Sequence, residues 1–258
     1  MTNEHPIGLF DSGIGGTSVW HEIIKLMPHE NTVYLADNKH APYGEKSKDE
    51  IIRLSEKNTE FLLNKNAKII VVACNTATTN AIKHLRQHYD VPFVGIEPAI
   101  KPAALQTQTN AVGVLATQGT LSSELFDQTK GKFARDVKVI EQIGYGLVEL
   151  IESGKIESQE TTRLLNLYLD PMIKAHIDYL ILGCTHYPYL IPQIKALLPS
   201  MVTIIDSGKP VARRVQHLLK EYHIDNTLSA SPVHQMYATG SKTELQRMVG
   251  GIAGVVMK

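Results

Sequence analysis

The chain has 258 residues, with 26 lysines and arginines balanced by 26 aspartates and glutamates; 43% of the residues are hydrophobic and 20% charged. That apolar content excludes global disorder, the zero net charge gives no general affinity for nucleic acid, and no apolar run approaches the roughly 20 residues that span a bilayer. At about 150 residues per domain, the length allows one large domain or two small ones. The first residues, Met1 to Pro6, lack the basic start and apolar stretch of a signal peptide, so the cytoplasm is the expected location.

Short apolar runs alternate with longer amphipathic segments. Strands are predicted over 7–10, 32–36, 68–73 and 91–96, with helices over 17–27, 48–66 and 76–88 between them. The alternation continues with strands over 111–115, 137–142, 179–182 and 202–205 and helices over 122–130, 146–153, 159–176, 191–198 and 210–222. Continuous Val/Ile/Leu runs imply strands buried on both faces, and their alternation with helices implies parallel α/β sheets. The polar connection over 37–45 holds Pro42 and Gly44 and reads as a surface loop or the rim of a pocket. A late strand closes at Tyr237-Ala238-Thr239-Gly240, which reads as a turn.

The only cysteines are Cys74 and Cys184. Two are too few for a disulfide scaffold, and no ligands with the spacing of a zinc site stand nearby, so no metal is expected. Taken singly, each reads as a buried core residue. Taken together they mark a repeat. Ala67-Lys68-Ile69-Ile70-Val71-Val72-Ala73-Cys74-Asn75-Thr76 parallels Ile177-Asp178-Tyr179-Leu180-Ile181-Leu182-Gly183-Cys184-Thr185-His186. The cysteines lie 110 positions apart, and a second pair of similar segments, starting at Gly8 and Gly113, is offset by 105. Two similar α/β halves follow, with a seam near Pro98 to Pro102. Each thiol then sits at the carboxyl end of a strand, where such folds bind ligands, and the two approach one cleft from opposite sides.

Opposed thiols suit stereoinversion, one removing a proton from a carbon and the other delivering one to the opposite face. Asp11 could serve one thiol and His186 the other. The turn Asp11-Ser12-Gly13-Ile14-Gly15-Gly16-Thr17 reads as an anion cradle; it lacks the Gly-Lys-Ser/Thr of a Walker loop and the spacing of a dinucleotide fingerprint. Ser12, Asn75, Thr76 and Thr185 add small donors for a carboxylate and an amine. His84 and His88, four apart on a helix, read as a solvated face. A binding module with core thiols and a sugar-kinase-like ATPase are the readings from other classes.

The chain resembles the bacterial glutamate racemases, within the cofactor-independent aspartate/glutamate racemase superfamily. The matching stretches are Gly8-Leu9-Phe10-Asp11-Ser12-Gly13-Ile14-Gly15-Gly16, Ala41-Pro42-Tyr43-Gly44, Val72-Ala73-Cys74-Asn75-Thr76-Ala77, Gly95-Ile96-Glu97-Pro98, Leu182-Gly183-Cys184-Thr185-His186-Tyr187-Pro188 and Asp206-Ser207-Gly208. The resemblance implies two three-layer α/β domains with mostly parallel sheets and the site in the cleft between them. Residues 1–98 with 207–258 would form the first domain and 99–206 an inserted second. It implies that Cys74 and Cys184 are the acid/base pair, assisted by Asp11 and His186. Ser12, Tyr43, Gly44, Asn75, Thr76 and Thr185 would contact substrate, Pro42 would shape the loop, and Thr117 and Thr120 would contribute from the second half. Glu149 matches the family's assisting glutamate, although the residues before it depart from the pattern. The implied substrate is L- or D-glutamate, with aspartate or another amino acid as the alternative; no cofactor is implied. A homodimer and D-glutamate supply for peptidoglycan complete the expectations.

Overall fold

The computed structural model describes residues 3–226 and 231–258. From the amino end they form β1 (Ile7–Asp11), α1 (Thr17–Leu26), β2 (Thr32–Ala36), α2 (Lys48–Leu63), β3 (Ile69–Val72), α3 (Asn75–His88), β4 (Phe93–Gly95), α4 (Ile100–Gln106) and β5 (Ala111–Ala116). Then follow α5 (Gln118–Leu121), α6 (Glu124–Phe133), β6 (Lys138–Ile143), α7 (Leu147–Glu152), α8 (Gln159–Lys174), β7 (Tyr179–Gly183) and α9 (Ile191–Leu197). The chain ends with β8 (Thr203–Ile205), α10 (Gly208–Glu221), β9 (His234–Ala238), α11 (Thr243–Val249) and β10 (Val255–Met257).

The strands make two sheets, ordered β10-β9-β2-β1-β3-β4 and β6-β5-β7-β8. Every strand pairing among the described residues is parallel. The order β2-β1-β3-β4 repeats as β6-β5-β7-β8, and β9 and β10 extend the first sheet alone. In each sheet the order reverses beside the first strand, β1 or β5, which opens a crevice at the carboxyl ends there. β1 and β3 are buried at every residue, as strands covered on both faces must be. Polar β6 is an edge strand with Lys138 and Glu141 exposed.

The repeat extends to the packing. A Cβ on Gly8 would lie 2.8 Å from Ala67 Cβ, with Leu62 next; one on Gly113 would lie 2.7 Å from Met172 Sδ and 2.9 Å from Ile177. These partners are equivalent in the two halves, so each central strand carries a glycine that lets its covering helix come close. Both helices also stop alike. Asn66 and His176 adopt φ of 60° and 56°. The next residue then bonds back, Ala67 N to Leu62 O at 3.1 Å and Ile177 N to Met172 O at 3.4 Å, in a Schellman-type end.

Helix α10 packs on α1 through Val211, Ala212, Val215, Leu218 and Leu219, so the chain after the second sheet returns to the first. The two crossing connections are tied by Ser207 Oγ donating to Glu97 O at 2.6 Å. The expected seam around Pro98 to Pro102 is not all loop. Helix α4 starts at Ile100, with Pro102 in its first turn, where a missing N–H costs nothing.

Candidate active site

Strand β3 delivers Cys74 to the crevice of the first sheet. Cys74 is the N-cap of α3, and Ala77 N donates to its Sγ at 3.4 Å. Ser12 Oγ lies 3.7 Å from the same sulfur. The thiol is 5% exposed. Burial and the negative charge of Asp11 push it well above the usual thiol range, outweighing the Ala77 and Ser12 hydrogen bonds.

Strand β7 delivers Cys184 to the second crevice in the same way, and it is 6% exposed. Its sulfur lies 3.7 Å from His186 Nδ1. The other ring nitrogen, Nε2, meets Glu152 Oε1 at 2.6 Å. Burial opposes charge on this ring, but the hydrogen bonds to Cys184 and Glu152, with attraction to Asp11, hold His186 well above its usual range. Glu152 Oε1 also accepts from Ile14 N at 2.7 Å, so the first half's turn grips the second half's acid.

Asp11, the last residue of β1, is fully buried. Its Oδ1 accepts from Gly13 N at 2.7 Å, and its Oδ2 accepts from Thr185 Oγ1 at 2.9 Å across the two halves. Ser12 Oγ lies 3.5 Å from Oδ1, which makes a line of polar atoms from Cys74 through Ser12 to Asp11. Burial raises the Asp11 carboxyl from 3.8 to about 6 against the pull of His186 and these hydrogen bonds.

Both sulfurs border one small cavity. Ser12, Pro42, Tyr43, Gly44, Asn75, Thr76, Thr117, Thr185 and His186 line it with them, and Val148 adds an apolar patch. Asn75 is 3% exposed, and neither amide atom has a partner. A buried amide left this way is a ready ligand contact. Thr76 Oγ1 bridges the halves to Thr117 Oγ1 at 2.8 Å, and Thr120 stands behind them, 3.0 Å from Thr117 Oγ1. Gly44 has no room for a side chain: a Cβ there would sit 2.9 Å from Thr117 Cβ. The Tyr43 hydroxyl points away to Asp37, so Tyr43 offers the cavity its ring and backbone.

The chain matches the family of Asp/Glu/Hydantoin racemases over residues 13–215. It belongs to that family. A glutamate racemase of Herpetosiphon aurantiacus is 47% identical over 84% of this chain and 85% of its own. Among solved structures, a glutamate racemase of Francisella tularensis in complex with D-glutamate is 27% identical with a TM-score of 0.85, covering 99% of this chain and 98% of its own. One of Escherichia coli, in complex with L-glutamate and an activator, is 33% identical with a TM-score of 0.84 and covers 98% of both chains.

Glu149, expected as the assisting glutamate, is exposed and lines a neighbouring shallow hollow beside Tyr145. The carboxylate that reaches His186 is Glu152, one helical turn on. Leu147-Val148-Glu149 and Leu150-Ile151-Glu152 repeat the same apolar-apolar-Glu pattern, so the pattern alone does not choose between them. Sequence reasoning also missed Tyr189, whose hydroxyl meets Thr17 Oγ1 at 2.5 Å between the halves. His84 and His88 stand apart from the cavity, stacked on each other at 3.9 Å with His84 on Glu56. Among the described residues no cluster of three or more His, Cys, Asp or Glu could hold a metal ion, and no helix is long and apolar enough to cross a membrane.

Proposed function

We propose that this chain is a glutamate racemase that interconverts L- and D-glutamate by two-base proton transfer at Cα. The observation that carries the reading is the pair of buried thiols on one cavity, each from its own sheet and each with its own acid-base partner. In one direction Cys184, acting as the base with charged His186 at 3.7 Å from its sulfur, takes the Cα proton. Cys74, kept protonated by burial, gives its proton to the opposite face of the planar carbanion. No electrons are exchanged: one C–H bond breaks, one forms, and the thiol and thiolate trade places. In the reverse direction the roles swap, with Ser12 and Asp11 beside Cys74 serving as His186 and Glu152 serve Cys184.

The ground state needs its two carboxylates and ammonium held. The unpartnered Asn75 amide and the hydroxyls of Ser12, Thr76 and Thr117 are the donors in reach of the cavity. Glutamate as substrate draws support from the relatives crystallised with each enantiomer. The family resemblance carries the rest of the reading: a cytoplasmic homodimer that supplies D-glutamate to peptidoglycan. The test is incubation of L-glutamate or L-aspartate with the protein in D₂O without added cofactor, followed by proton NMR and polarimetry. Glutamate should gain deuterium at Cα as its rotation decays. No exchange with glutamate, or faster exchange with aspartate, contradicts the reading.

A further inference from the structure

One buried carboxylate touches the wall of the cavity without reaching the thiols. Asp37 follows β2 and is 1% exposed. Its backbone N donates to Asp11 O at 2.9 Å, so it is tethered to the strand end that carries the site. Its Oδ2 accepts from the Tyr43 hydroxyl at 2.5 Å. Its Oδ1 meets Thr239 Oγ1 and His40 Nδ1, each at 2.8 Å. Asn58 Nδ2 donates to the Tyr43 oxygen from the other side at 3.0 Å. The turn at Asn38–His40 is also laced to the segment after β9. Lys39 N reaches Thr239 Oγ1 at 3.1 Å, and Gly240 N reaches Asn38 Oδ1 at 2.7 Å.

A lone buried carboxylate is costly unless its acceptors are filled; here the donors come from the loop and from the chain after β9, while α2 donates to the Tyr43 oxygen. Their common point is Tyr43, whose ring and neighbours Pro42 and Gly44 line the cavity. We propose that Asp37 is a positioning residue for the reaction: by fixing the Tyr43 hydroxyl it holds Pro42, Tyr43 and Gly44 as one wall of the cavity shared by the thiols. Thr239 and the segment after β9 thereby shape the site from a distance.

The inference rests on the racemase reading for its kinetic arm only. Asp37→Ala and Tyr43→Phe are compared with the wild-type protein after circular dichroism shows which variants are folded. Tyr43→Phe leaves the Asp37 bonds to Thr239 and His40 in place, so it decides alone should Asp37→Ala fail to fold. The KM for glutamate rises at least about 10-fold while kcat changes less than about 3-fold, because a displaced wall weakens ground state and transition state alike. Independently of turnover, iodoacetamide alkylates Cys74 at least about 10-fold faster, read by peptide mass spectrometry, because the wall that buries it is displaced. An unchanged KM in a folded variant, or an unchanged alkylation rate, overturns the proposal. Should the wild-type protein not exchange the Cα proton of glutamate, the racemase reading falls, and the alkylation rates alone still decide about Asp37.

Discussion

Glu152 Oε1 takes hydrogen bonds from Ile14 N and His186 Nε2, so one oxygen serves a turn of the first half and the acid of the second. Glu152→Gln keeps an acceptor for Ile14 but removes the charge that helps hold His186 protonated. Its kcat should fall about 100-fold, while exposed Glu149→Gln stays within about 3-fold, in steady-state racemisation assays. Asp11 gives a pH-dependent test. Its folded carboxyl titrates near 6 and its unfolded one near 3.8, so the folded state binds the proton more tightly. Stability is therefore lost as pH rises from about 4 to about 6, by at most about 3 kcal/mol. Asp11→Asn removes that titration. Denaturation midpoints should show its stability relative to wild type growing across this window and staying level above it; a difference flat with pH would refute the burial argument. At this scale the two cysteines were legible because they end matched apolar runs. Glu152 was not, because its partner His186 is brought to it from 34 residues away.

The turn between β1 and α1 is the element on which the acid-base geometry depends. A Cβ on Gly15 would lie 2.3 Å from His186 Nδ1, and one on Gly13 would lie 1.9 Å from Glu152 Oε1. These glycines are there for close approach, since neither adopts a left-handed backbone. Gly15→Ala should abolish most racemase activity by displacing His186. Gly131 in α6 is the contrast: it is exposed, and a Cβ there meets nothing within 4 Å. Gly131→Ala should raise stability by about 0.5–1 kcal/mol in chemical denaturation and leave activity unchanged. Elements buried on both faces, such as β1, β3 and β7, could be read from their apolar runs. Helix α4 was hidden by Pro102, a helix breaker that costs nothing in a first turn. Helix α11 and strand β10 are short and partly exposed, so neither carries a periodic apolar signal.

Across the whole molecule, a four-strand unit occurs twice, and each copy presents a cysteine at the end of its third strand. The cysteine offset and the helix-stop offset are both 110 positions, so the doubling visible in the sequence is also the doubling of the packing. Contacts join the two halves on two flanks of the cavity. Thr185 donates to Asp11, and Ser18 Oγ donates to Thr185 O at 2.9 Å, on one flank; Thr76 meets Thr117 on the other. The sequence could not reveal these contacts, because each depends on how the two halves sit against one another. In the two-base reaction one thiol removes the Cα proton and a different thiol supplies the new one. The most direct measurement is the early course of L-glutamate racemisation in D₂O, with both enantiomers separated and their Cα label counted at low conversion. Two monoprotic bases predict D-glutamate that is almost fully deuterated and recovered L-glutamate that is still protiated. Product retaining the substrate's own proton, or recovered substrate labelled as fast as product, would contradict the account.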